Sequence, residues 1–279
     1  MLAQNNYGKS AIRLVKVTRQ PGRHDVKDVT VAVEFQGDFE AAHVAGDNSA
    51  ILPTDTMKNT VYALAKNHLL TDIETFWLHL SDYFLRNNRP VSRVRVLLSE
   101  QFWERLTVHG QPHPQAFRRP GGERHVASVT RTRESASVEA GLEDLMILKS
   151  AQSSFAGFFK DKYTTLKETS DRILATLVKA TWLYTGTDLA FGVTWQAVRQ
   201  TLLETFAAHD SASVQHTLYA MGEAALAKHA ELSEIRLSLP NKHHLLVDLS
   251  PFGLENRNEI FVATEEPYGL IEAAVKRSS

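Results

Sequence analysis

Cysteine is absent from the 279 residues, which removes disulfides, thiolate nucleophiles, iron–sulfur clusters and cysteine-ligated zinc in one step. Any bound metal would rest on His and carboxylates alone. An excess of charge of one sign is lacking too. The 31 Lys and Arg stand against 32 Asp and Glu, which leaves no long-range field to attract a nucleic acid or an anionic membrane surface. No nucleic-acid and no membrane partner is therefore expected. Apolar runs stay well short of the roughly 20 residues of a membrane span, and Met1-Leu2-Ala3-Gln4-Asn5-Asn6 is not a basic segment leading into an apolar one. The sequence ends in Val275-Lys276-Arg277-Ser278-Ser279 rather than the Ser-Lys-Leu peroxisomal address. A cytoplasmic location is the expectation.

An apolar fraction of 43% is enough for a substantial core in one large domain or two modules. Val29, Val31, Val33 and Phe35 alternate with polar neighbours, as a half-buried strand requires. Ile73, Phe76, Trp77, Leu80 and Phe84 recur at helical spacing after a Thr71/Glu74 capping box, predicting a helix over 72–88. Strands are predicted at 93–98 and 124–130, with a Pro-, Gly- and His-rich loop between them. The second half repeats the order: strands near 142–149 and 177–185, helices near 194–208 and 213–229, strands at 234–239 and 243–249. The stripes Trp195-Val198-Leu202-Phe206 and Val214-Leu218-Met221-Ala225 mark its two helices. The fold class expected is α+β, in two tandem ββααββ units at 1–137 and 138–279, with antiparallel sheets and helices on one outer face. The other face needs cover, and closing several such sheets into a barrel on oligomerisation would supply it.

Ile235, Leu237 and Leu239 alternate up to Pro240-Asn241, and His243, Leu245, Val247 and Leu249 alternate after it. A tight hairpin is predicted, with Asn241 at the turn and His243 opening the returning strand. Alone, such a pair reads as a turn Asn and a satisfied half-buried His.

The string Leu239-Pro240-Asn241-Lys242-His243 resembles a signature of the cofactor-independent urate oxidases. Four further segments resemble motifs of that family in the family's order: Tyr7-Gly8-Lys9; Thr54-Asp55-Thr56 with Lys58-Asn59-Thr60; Tyr163 to Thr169 with Asp171-Arg172; and Ser211-Ala212-Ser213-Val214-Gln215. The resemblance spans almost the whole chain. It implies the tunnelling fold, a homotetramer with active sites at subunit interfaces, urate and O2 as reactants, and no cofactor or metal. The implied products are 5-hydroxyisourate and hydrogen peroxide.

Carried over residue by residue, the resemblance makes Phe155 the ring-stacking aromatic and Arg172 the guanidinium clamp. Gln215 becomes the amide on the opposite purine edge, Val214 a backbone N–H donor, and Leu166 a pocket wall. Thr54, Asp55 and Asn241 also contact the substrate, Thr54 and Asn241 hold O2, and Lys9, Thr54 and His243 form a proton relay. Such a set suits a planar acidic heterocycle, which needs a flat apolar surface, a bidentate cation and an amide. Without the family, Phe155 reads as core, Arg172 as a surface ion pair, Gln215 as a solvated first-turn residue, Lys9 as a surface Lys and Thr54 as a helix cap. Ala156 and Leu177 depart from the family pattern behind the pocket. A purine-binding protein without turnover and another tunnelling-fold purine or pterin enzyme are the competing readings. The His109, His113, His125 and His244 spacings argue against a metal centre.

Overall fold

The computed structural model describes residues 2–68 and 73–277. Two compact units divide the chain, residues up to 141 with 183–196, and residues 142–182 with 197 onward. In the first, β1 (Tyr7–Gln20) and β2 (Arg23–Gly37) form a long antiparallel hairpin. Gly22 supplies the positive φ, 72°, that its tight turn requires. The short α1 (Glu40–Val44) and the helices α2 (Thr54–Asn67) and α3 (Ile73–Asn87) follow, then β3 (Val91–Gln101) and β6 (Arg124–Thr132). The sheet order is β1-β2-β3-β6-β7, where β7 (Ala136–Lys149) runs on past the division. Val29, Val31, Val33 and Phe35 are at most 1% exposed, and Phe76, Trp77, Leu80 and Phe84 of α3 are buried with them. Alternation on β2 and the 3.6-residue stripe on α3 thus make one helix-on-sheet core.

The second unit takes β7 onward, with order β7-β8-β9-β12: β8 (Leu174–Tyr184), α4 (Phe191–Ala208), α5 (Val214–Lys228), β9 (Leu232–Asn241) and β12 (Gly269–Lys276). Trp182, Val198, Leu202, Leu218, Met221 and Leu237 fill its core. Leu177 lies half-buried on the opposite face of β8 from Val178 and Ala180, and Ala156 is exposed.

The two units repeat each other in detail. Lys16 of β1 donates to Ala65 O at the end of α2 (2.6 Å), and Lys149 of β7 donates to His209 O just past α4. Five residues before each lysine stands a left-handed residue, Ala11 (φ 56°) and Asp144 (φ 59°). Arg133 follows β6 and donates to Leu85 O and Val91 O. Arg277 follows β12 and donates to Leu226 O and Leu232 O, each 141 positions on from its counterpart. In all four, a cation satisfies carbonyls that a helix end leaves orphaned.

Three local expectations fail. The hairpin over 235–249 does not form: β9 pairs with β12, and β10 (His244–Leu246) pairs instead with β11 (Phe261–Ala263). The Lys242 N–H donates to Ala175 O at 2.9 Å, so the chain stays extended through Pro240-Asn241 and Asn241 ends a strand instead of making a turn. The stretch between β3 and β6 is not all loop, because β4 (Glu104–Val108) and β5 (Gln111–Arg118) form a hairpin. Its two turn residues, His109 and Gly110, have φ of 52° and 77°, the primed-turn geometry that suits strand twist. Thr54 is not a cap: Pro53 holds the N-cap position, with no side-chain cap bond. Thr71 and Asp72 lie outside the described residues, so the capping box does too.

Candidate active site

Three segments of the second unit are tied together by backbone hydrogen bonds. Phe155 and Thr169 exchange two of them (2.8 and 3.0 Å), Ser154 N–H donates to Ser211 O (2.7 Å), and Ser211 N–H donates to Gln152 O (3.0 Å). The fully buried Ser211 hydroxyl donates to Ser213 O and accepts from the Thr217 hydroxyl, which anchors the approach to α5. Ser213 caps that helix by accepting from His216 N–H at 3.1 Å. Val214, buried, and Gln215, exposed, are therefore its first two residues, where backbone N–H groups have no carbonyl one turn back. A buried serine knotting loop to helix has no local pattern to betray it.

Arg172, just before β8, lies with its guanidinium carbon 5.2 Å from the centre of the Phe155 ring. That ring stacks on Phe158 at 4.9 Å. Arg172 is half-buried, and burial pulls its pKa below the ordinary value. It makes no ion pair among the described residues, and its buried Nε has no hydrogen-bond partner. The surface ion pair with Asp171 is thus not formed. A desolvated cation beside an aromatic face is costly unless an anion meets it. Leu166 is 61% exposed on the same connection, and Phe159 and Tyr163 are more exposed still.

Asn241 closes β9 at 9% exposure, and its amide donates to His243 Nδ1 at 3.5 Å. Across the ladder it faces Gly269 of β12, and Lys242 Nζ sits 5.0 Å from the centre of the Tyr268 ring. Gly269 and Tyr268 did not stand out in the sequence. Their signal lies in strand register, visible only once β9 is paired with β12.

The remaining residues belong to the first unit. Lys9 lies half-buried at a β-bulge between Lys9 and Ile12, where the left-handed Ala11 interrupts the β1–β2 register. Thr54 opens α2, which packs against β1, and its hydroxyl makes no hydrogen bond among the described residues. Asp55 bonds Lys58 and Asn59, and its carboxyl pKa is held low by the Lys58 hydrogen bond first, with the charge of Lys9 contributing. Near them, the Tyr7 hydroxyl accepts from Leu52 N–H at 2.9 Å, fixing the strand to the chain that enters α2. Lys9, Thr54 and Asp55 thus lie in the first unit, and the pairs Phe155–Arg172, Val214–Gln215 and Asn241–His243 in the second. Among the described residues, no three His, Asp or Glu side chains are arranged to hold a metal ion.

Comparison with known proteins identifies the family. The family model described as Uricase matches residues 5–130 and 138–272. The chain is 47% identical over 277 residues to a uricase of Arthrobacter globiformis, covering 99% of this chain and 90% of that protein. It is 38% identical to a uricase of Dictyostelium discoideum, covering 99% and 98%. The crystal structure of the Arthrobacter globiformis uricase superposes with a TM-score of 0.94 at 46% identity, over 99% of this chain and 95% of that one.

Proposed function

The chain belongs to the uricase family and is a urate oxidase, and we propose that it oxidises urate with O2 at sites that two subunits complete together. The observation that carries this reading is the Arg172–Phe155 pair: a half-buried guanidinium, with a free buried N–H, beside an apolar ring face. Urate is a planar anion, with a ring to stack and oxygen and nitrogen acceptors for a guanidinium. It stacks on Phe155 while its carbonyl and ring nitrogen accept from the Arg172 fork. Gln215 and the Val214 N–H take the far edge, and the exposed Leu166 becomes a wall once a neighbouring subunit covers it.

The tandem ββααββ units have the tunnelling fold's arrangement, and closing their open sheets in a homotetramer removes the exposed edges. Lys9, Thr54 and Asp55 of one chain then face the cradle of the next. Ground-state O2 accepts electrons one at a time, and amino-acid side chains are poor one-electron donors. Urate itself is the reductant. Lys9 withdraws a proton, Thr54 passes it on with His243 assisting, and the urate dianion yields two electrons to O2 held between Thr54 and Asn241. Water then adds its hydroxyl to the oxidised ring. The balance is urate plus O2 plus water giving 5-hydroxyisourate plus hydrogen peroxide, a reaction of purine degradation that needs no cofactor.

Purified enzyme treated with a chelator and supplied with urate in oxygenated buffer is expected to lose the urate absorbance and to release one peroxide per urate. An enzyme that binds urate without consuming O2 would be a purine-binding protein instead. One that neither binds nor turns over would end the assignment.

A further inference from the structure

A buried polar cluster in the first unit has no part in the reaction above. Glu74, the second residue of α3, is fully buried, and its Oε1 lies 2.9 Å from His125 Nε2. Its other oxygen is buried with no partner among the described residues. His125, on β6, stacks on the Trp195 ring with centroids 4.5 Å apart and planes 29° from parallel. Its Nδ1 lies 3.8 Å from Glu100, which pairs with Lys27 at 2.6 Å. Lys27, Glu74, Glu100, Phe102, His125 and Trp195 border a cavity of about 200 Å3.

The duplication gives this cluster an address. Helices α3 and α5 each have 15 residues and begin 141 positions apart, so Glu74 stands where Gln215 stands in the second unit. Strands β3 and β9 also begin 141 positions apart, so Glu100 corresponds to Asn241. Glu100 pairs with His125 across its ladder, and Asn241 pairs with Gly269 across the equivalent one. The triad Glu74, Glu100, His125 thus repeats Gln215, Asn241, Gly269. The carboxylates of Glu74 and Glu100 correspond to the amides of Gln215 and Asn241, and the last member is a heterocycle against no side chain. A Cβ built on Gly269 would meet only Ile271 and Asn241, at 3.7 and 4.0 Å, so the space beside Gly269 and Asn241 is open where His125 fills its counterpart.

We infer that the Glu74 cluster is a second heterocycle-binding site, the first unit's counterpart of the substrate pocket, with its ring position beside Trp195 and Glu74 taken by the chain's own imidazole. The ring of His125 meets the two contacts a planar ligand would need, an aromatic face and a polar acceptor for its N–H. Shortening His125 converts the cavity into a site for a free, small, N–H-donating heterocycle. Gly269 in turn is a specificity residue, because its missing side chain keeps the second unit's pocket open. The identification of that pocket rests on the urate reading above, while the cavity's own chemistry does not.

Two reciprocal variants test this. His125→Gly is expected to melt below the wild type, and added imidazole should raise its melting temperature by several degrees with a saturable concentration dependence. The wild type and the double variant H125G/E74A should show no saturable shift. A folded His125→Gly that ignores imidazole, or responds equally with Glu74 removed, overturns the inference. Gly269→His should fold with a melting temperature near the wild type and lose at least about tenfold in urate affinity, whereas Gly269→Ala stays within about threefold. Unchanged urate affinity in Gly269→His, or its failure to fold, overturns the inference even if His125→Gly proves too unstable to assay. Imidazole rescue needs no urate. A wild type inert towards urate would therefore end the proposed function and leave the rescue result standing.

Discussion

The two units share a scaffold to the level of individual clamps, yet they join their first two strands differently. In the first unit β1 turns into β2 through Pro21-Gly22; in the second, β7 reaches β8 through residues 150–173, which carry Phe155, Leu166 and Arg172. An insertion costs little at such a point, because loop-closure entropy grows only with the logarithm of length. The duplicated sheet and helices keep their packing while the long connection acquires an aromatic ring and a buried cation. The unit without the insertion keeps Lys9 at a bulge and Thr54 at a helix start. In the proposed reaction the stacking ring and the guanidinium thus come from one copy of the fold, and Lys9 and Thr54 from the other.

The sharpest way to break that division is to disable each copy in turn. Lys9→Met or Thr54→Ala should cut kcat by about two to four orders of magnitude, the usual worth of positioned proton transfer, while urate still binds. Arg172→Ala should weaken urate binding by about ten- to a hundredfold, as expected for a charge-assisted bidentate contact. If Lys9→Met changed the rate little, the relay would be wrong; if Arg172→Ala left affinity unchanged, the cradle would be. Co-assembling Lys9→Met with Arg172→Ala, assayed at urate too dilute to fill the Arg172→Ala sites, gives a sharper result still. A site built from two subunits regains roughly a quarter of its activity when they mix at random, since half the sites in each mixed pair are intact. A site built within one chain regains none.

How much of this was legible beforehand differs between the copies for physical reasons. Helix α3 was plain, because five apolar residues at helical spacing bury as one stripe. The β9–β10 hairpin was misread, since alternation on both sides of Pro240-Asn241 fits a turn as well as an extended chain. What decides is one long-range bond, Lys242 N–H to Ala175 O. The β4–β5 hairpin was missed because His109-Gly110 is not one of the Asn-Gly, Asp-Gly or Gly-Gly pairs that mark a primed turn. Most site residues were reached through motif strings alone. Arg172 looked like a surface ion pair, and only its burial beside Phe155 marks it as waiting for an anion.

Smaller effects test the scaffold itself. Arg133→Met and Arg277→Met each leave without this donor one carbonyl in the last turn of a helix and two between that helix and the start of the next strand, so each should lose about 1–3 kcal/mol of unfolding free energy. The losses should match within about 1 kcal/mol if the clamps are equivalent. Denaturant unfolding of the two variants measures this, and a large loss from one with none from the other would make the repeat one of outline only.

The least effect separates the units by pH. Burial, the largest cause, lowers the pKa of His229 below its ordinary value near 6.5, and its ring pairs with the Thr201 hydroxyl at 2.9 Å. A histidine held neutral in the fold binds its proton more readily when unfolded. Its stabilising contribution is therefore present above about pH 6.5 and is lost as pH falls below that value. The first unit has Asn88, which does not titrate, at the position 141 residues earlier, its amide donating to Phe84 O. His229→Asn copies that arrangement into the second unit. It should lessen the fall in melting temperature on acidification through pH 6.5, and amide exchange should report the gain near α5 and leave α3 unaffected. An acid response identical to the wild type would locate the pH sensitivity elsewhere, with half-buried His209 just past α4, whose pKa burial also lowers, the next residue to replace.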